Sequence, residues 1–175
     1  TGERTDIGAE AGERDIAGTK HALAAAGKPV SDGVVAAISP GSAARVANAF
    51  YEDDEAVVWA CADVLREEYK RITDAGLTVQ IDAPDIAEGW DQMNPEPSVE
   101  DYRAFSRVRI DALNHALEGI DPSLVRFHVC WGSWHGPHTT DIAFKDIVDL
   151  ALLVNANGLT FEAANARHAH EWTIW

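Results

Sequence analysis

Apolar residues along the chain follow two alternating periods. Short runs rich in β-branched residues mark four strands, at Val34–Ile38, 77–82, 125–130 and 159–162. Between them lie longer stretches with apolar residues at helical spacing. Residues 14–26 read as a helix stopped by Gly27, and 53–75 as a long helix with the stripe Val57, Cys61, Val64/Leu65 and Ile72. That helix has acids in its first turn and Gly76 as its stop. Ser98 and Asp101 cap the next helix, which carries Phe105, Val108, Ala112, Leu113 and Ala116 and ends at Gly119. A further helix is predicted over 142–154.

Strand, helix, strand, helix, strand, helix, strand is the order of parallel βαβ units. The helix-to-strand links are short (Gly76-Leu77, 119–124, 155–158), whereas the strand-to-helix links are long and hold the Gly, Pro, His and Trp residues. A (β/α)8 barrel has this asymmetry, because its active site is built from the loops that follow the strands. The fold expected is therefore α/β of TIM-barrel type, present as an incomplete barrel of about four βα units across residues 1–175, with a poorly structured stretch at 1–12.

Strand phase sharpens this expectation, since alternate side chains share a face. Val79 and Ile81, Val125, Phe127 and Val129, and Leu159 and Phe161 form the helix-facing sets. The inward positions at the strand ends then fall to Asp82, to His128 and Cys130, and to Glu162. An imidazole, a thiol and a carboxylate from neighbouring strands make a mixed N/S/O donor set, which favours Zn2+ over Mg2+ or Ca2+.

Composition narrows the function classes. Hydrophobic content of 46% and charged content of 25% are those of a globular protein. Fourteen basic against 29 acidic residues give a net charge of -15, which argues against nucleic acid and anionic membrane partners. No apolar run approaches the length of a membrane span. Cys61 and Cys130 do not make a disulfide framework, so a cytoplasmic location is expected, with Cys61 a core thiol on a helix stripe. The chain has no initiator Met and stops at Trp175 without a capping signal, which reads as a piece of a longer polypeptide. An incomplete barrel leaves open edges, so this piece is expected to aggregate or dimerise.

The segment 127–138 concentrates three of the seven histidines and one of the two cysteines. His135 and His138 lie in its Gly/Pro loop, as direct ligands or as groups on the substrate side. Asp82, at a strand end, fits an acid/base role, the binding of a substrate amino group, or a loop anchor. His168 and His170 follow the fourth strand at the rim, placed to grip substrate or to pair with Glu171. Ser39, closing the first strand, joins Asp82, His168 and His170 as a substrate-binding candidate. His21 and His115 read as helix-surface residues.

His128-x-Cys130 at a strand end, Thr160-Phe161-Glu162-Ala163, and Gln80-Ile81-Asp82 together resemble the catalytic domain of cobalamin-independent methionine synthase. His135-Gly136-Pro137-His138, Glu162-Ala163-Ala164-Asn165 and Arg167-His168-Ala169-His170-Glu171-Trp172 are closest to the shorter methionine-synthase-like proteins, and the likeness runs from near Val34 to the end. It implies a (β/α)8 barrel that binds catalytic zinc and moves a methyl group from a folate donor to homocysteine. His128, Cys130 and Glu162 would be the zinc ligands and Asp82 would hold the amino group of the substrate. Asp82, His135 and His138 stand as the catalytic candidates. The family's second zinc cysteine has no counterpart here and is expected beyond residue 175. Three alternatives stand beside this reading. One is alkyl transfer to another thiol, as in epoxide opening by coenzyme M. The second is a metal-dependent hydrolase using His128, His135 and His138. The third is a catalytically incomplete metal-binding piece.

Overall fold

The computed structural model describes residues 2–162 and 164–174; Thr1, Ala163 and Trp175 lie outside them. Four strands, β1 (Val34–Ile38), β2 (Thr78–Asp82), β3 (Val125–Val129) and β4 (Gly158–Phe161), form one open parallel sheet in the order β1-β2-β3-β4. The strands are short apolar runs, and each successive one is added at the same edge after a helical crossover, as the alternation requires.

Two long helices build the layer behind the sheet. Helix α3 (Asp54–Asp74) is started by Asp53, whose carboxylate accepts from the Ala56 N–H at 2.8 Å. Helix α4 (Val99–Ala116) is started by Ser98, which accepts from the Asp101 N–H at 3.1 Å. Their stripes pack on each other and on the sheet: Val58, Tyr69 and Ile72 from α3, Ile110 and Leu113 from α4, against Val79, Ile81, Phe127 and Val129. Every one of these side chains is nearly free of solvent contact, so each contributes about 1.5–3 kcal/mol of burial, or somewhat more for the rings.

The predicted strand phase holds on this face. In β2, Val79 and Ile81 are buried while Thr78, Gln80 and Asp82 are half-buried, and in β3 Val125, Phe127 and Val129 alternate with Arg126 and His128 in the same way. Among the described residues the opposite face has no helical cover. Val34 and Ile38 of β1 expose 39% and 44% of their surface there, which is unusual for a parallel sheet, normally covered on both faces. Register sets one row across this open face, Ile38, Asp82, His128 and Thr160.

Three elements differ from the sequence expectation. Helix α1 spans Ala9–Ala25, so part of the stretch read as poorly structured is helical. Alanine and glutamate favour helix there, and Asp6, held by Arg71 at 2.8 Å, ties the entry to α3. Ser39 caps a one-turn helix, α2 (Pro40–Ala43), where a loop was expected. The helix predicted over 142–154 is a 3-10 turn at Phe144–Asp146 followed by the short α5 (Val148–Ala151). Its apolar period is real, since Ile142, Phe144, Ile147, Leu150, Ala151 and Val154 are all buried. Its backbone is drawn elsewhere: the Phe144 N–H donates to Glu171 at 2.8 Å, and the Asp146 carbonyl accepts from Arg103 at 2.6 Å. Among the described residues no helix is long and apolar enough to cross a membrane.

Candidate metal centre

Asp82 ends β2, and Cys130 is two residues on from His128 of β3, so all three side chains project from the open face at the C-terminal ends of adjacent strands. One ligand atom from each, a carboxylate oxygen, an imidazole nitrogen and a thiol sulfur, lies within 4.8 Å of the other two. His128 Nε2 is 3.9 Å from Asp82 Oδ1. The loops hold this end of the sheet together: the Ser39 N–H donates to the Asp82 carbonyl at 2.9 Å, and the Ala83 N–H donates to the His128 carbonyl at 3.0 Å.

The surroundings prepare these atoms for a cation. His128 Nδ1 is 2.9 Å from Thr160 Oγ1, and that hydroxyl has the Phe127 carbonyl at 3.5 Å as acceptor. A hydroxyl has one proton to give. Donated to the carbonyl, it leaves Thr160 as acceptor for Nδ1–H, so that Nε2, on the side of Asp82, is the ring nitrogen left for a cation. Asp82 Oδ1 is a buried oxygen with no hydrogen-bond partner. Burial pushes the Cys130 thiol above its usual pKa, against the Gly132 N–H bond that lowers it; the Asp82, Glu88 and Glu162 carboxylates push it further up. An orphaned oxygen, a free imidazole nitrogen and a thiol surrounded by carboxylates fit a soft divalent cation, whose charge would reverse that electrostatic balance.

Of the ligands expected from sequence, His128 and Cys130 stand in this group. Glu162 does not bring an oxygen within 4.8 Å of all the others, although its charge acts on Cys130. It lies one residue past the end of β4, a strand registered so that Thr160, not Glu162, faces His128. Asp82, expected to hold a substrate amino group, is the third member of the group instead. The strand phase gave only its inward direction; the inter-strand register, in which Asp82 and His128 are partners, supplies the rest.

The loop after β3 turns away at Gly132, whose φ of 82° and close approach to Glu88 leave no room for a side chain. Trp131 is buried with its ring stacked on His168 at 3.7 Å, and its Nε1–H donates to the Ile142 carbonyl at 2.9 Å. Trp134 and His135 are exposed. His138 is buried: Nδ1 is 2.7 Å from Asp141 and Nε2 donates to the Trp134 carbonyl at 2.9 Å. His168, 1% exposed, sits between Asp141 at 2.8 Å and Glu171 at 2.6 Å. These two histidines therefore fasten the loop after β4 to the loop after β3, and neither offers a free nitrogen to a substrate. Ser39 is also turned inward, its hydroxyl donating to Asp85 at 2.5 Å. His170 remains exposed. Beside the centre, Glu88, Asp91, Trp131, Trp134, His138 and Asp141 line a cavity of about 220 Å³ that could admit a small substrate.

The His138 clasp makes stability depend on pH. Its bond to the Trp134 carbonyl raises the His138 pKa, burial opposes this, and Asp141 adds to the rise. A raised folded pKa stabilises fully below the unfolded value of about 6.5, and the effect is lost as pH rises through the folded value. The melting-temperature gap between wild type and His138→Gln is expected to be widest below about pH 6.5 and to shrink at higher pH. A gap that is constant from acid to alkaline pH would remove the clasp from the account.

Comparison with protein-family models, with curated proteins and with solved structures finds no match to this chain.

Proposed function

We propose that the chain carries the zinc centre of a methyltransferase that methylates a thiol, with homocysteine as the favoured acceptor and a folate-type methyl donor. The open four-stranded sheet is read as part of a (β/α)8 barrel, whose reactions take place at the C-terminal ends of the strands. The observation that carries this reading is the Asp82, His128 and Cys130 group at those ends, with Glu162 one strand further on.

Zinc bound there would supply a Lewis acid that keeps a substrate thiol ionised at neutral pH. His128 would hold it through Nε2, Cys130 through its sulfur and Asp82 through Oδ1, with Thr160 fixing the ring of His128. Glu162, whose charge acts on Cys130, would either complete the set or receive the amino group of an amino-acid substrate. The wall of Trp131 and Trp134 would shield the reacting sulfur from water.

The hydrolase alternative needs His138 as a ligand, and its engagement by Asp141 and Trp134 speaks against that role. The test is metal analysis of the purified protein combined with an assay of methyl transfer to homocysteine. About one zinc per chain is expected. Protein free of zinc, or zinc-loaded protein that hydrolyses esters or amides but never alkylates a thiol, would overturn the proposal. Thr160→Val is expected to weaken zinc binding about 10–100-fold without lowering the melting temperature much, since it removes only the partner that orients His128. Competition with a zinc chelator measures this, and an unchanged affinity would free His128 from that dependence.

A further inference from the structure

A second cavity, of about 440 Å³, lies between the segment after β3 and the segment after β4. Lys145, Arg167 and His170 line it, together with Glu171 and Thr173. In a chain of 29 acidic and 14 basic residues, a cavity wall dominated by cations runs against composition.

Among the described residues, the carboxylate in that wall, Glu171, is turned away from it. Glu171 is 5% exposed, its Oε1 accepts from the Phe144 N–H at 2.8 Å, and its Oε2 is 2.6 Å from His168 Nδ1. The Arg167 guanidinium makes one bond among the described residues, from Nη2 to the Asp141 carbonyl at 3.2 Å, which leaves most of its fork for a ligand. Among the described residues, neither Lys145 nor Arg167 is paired with a carboxylate, whereas Arg45, Arg71, Arg103 and Arg107 all are. The exposed His170 adds a ring N–H.

We propose that this cavity binds a small organic oxyanion, a carboxylate or a phosphate ester, through Lys145, Arg167 and His170. A planar guanidinium fork beside a mobile ammonium is the donor arrangement that oxyanions select. The volume exceeds that of a bare inorganic ion and falls in the range of small-molecule sites, so the charged group is one end of a larger ligand. None of these residues belongs to the Asp82, His128 and Cys130 group, so the proposal does not depend on the metal.

Inorganic phosphate and glutarate, titrated separately into the whole chain at constant ionic strength and followed by calorimetry, test it. Saturable binding of at least one probe is expected, weakened about tenfold in Lys145→Gln and in Arg167→Gln. Lys145 is the safer position, since its ammonium holds no other element in place; Arg167→Lys, which keeps charge but loses the fork, should retain part of the affinity. Tighter glutarate assigns a carboxylate ligand, and tighter phosphate assigns a phosphoryl ligand. Cys130→Ser is expected to bind both probes as wild type does, so loss of the metal centre and loss of this site are told apart. Absence of saturable binding to wild type, or equal binding by wild type and Lys145→Gln, would overturn the proposal.

Discussion

Replacing Cys130 by serine is expected, on the proposed function, to strip the protein of zinc and, with it, of methyl transfer to a thiol. Sulfur is the softest donor of the group and the one that most favours zinc over magnesium or calcium. Serine keeps the size but offers a hydroxyl that does not ionise at neutral pH. The affinity should fall by more than about 100-fold, beyond the 10–100-fold that follows loss of an outer-shell partner such as Thr160. Metal content after dialysis, and the sulfur-to-cobalt absorption band of the cobalt-substituted protein, read this directly. The fold should survive, because Cys130 lies on the open face and is not part of the core behind the sheet. Equal zinc content in wild type and Cys130→Ser would sink the metal-centre assignment.

The second large effect concerns stability. Asp85→Ala is expected to cost about 4 kcal/mol, from the about 3–5 kcal/mol that follows removal of one partner of a buried ion pair. Asp85 is 2% exposed, and its Oδ1 accepts from the hydroxyls of Ser39 at 2.5 Å and Ser42 at 2.6 Å. Oδ2 is 4.0 Å from Arg109 Nε, and the Tyr102 hydroxyl donates to the Asp85 carbonyl at 3.0 Å. Burial, aided by the Asp85 charge, pushes the Tyr102 phenol up, so it stays a donor at any working pH. The carboxylate thus joins α2, the turn after β2, and α4 at one point. Gly41 belongs to the same joint, since a Cβ there would run into Oδ2. Removing the carboxylate leaves two buried hydroxyls without their acceptor and Arg109 without the opposite charge it faces at 4.0 Å. For a chain of this size the melting temperature should drop by about 8–16 °C. Asp85→Asn, which keeps an acceptor oxygen, should lose less. A loss below about 1 kcal/mol in Asp85→Ala would mean that this joint does not hold the loops.

Chemistry at the strand ends was legible because a strand has a period of two. Once Phe127 and Val129 face helices, His128 and Cys130 must face the other way, and the structure follows that phase in β2 and β3. Asp82 was legible as an inward residue but not as a companion of His128. Their partnership depends on inter-strand register, which turns and crossovers set and the local sequence does not encode. The loop histidines show the same limit. His138 and His168 looked like groups for a substrate, yet both are held by carboxylates, and one of these, Asp141, serves both rings. Asp85 gave no signal in the sequence, because a buried acid differs from a surface acid only through neighbours distant in the chain, such as Arg109 and, more than 40 residues away, Ser39 and Ser42.

The sequence by itself determined the alternation of strands and helices, the parallel sheet, the helix starts at Asp53 and Ser98, and the face on which His128 and Cys130 stand. All of these are local, set by periodicity and by side chains that reach no further than the next turn. Only the tertiary structure decided that Asp82 rather than Glu162 stands closest to His128 and Cys130, and that two histidines close a loop. It likewise decided that α5 is short and that Lys145 and Arg167 share one cavity. Each of these depends on the packing of segments far apart in the chain, where a carboxylate, a ring or a backbone carbonyl meets a partner that local sequence cannot specify.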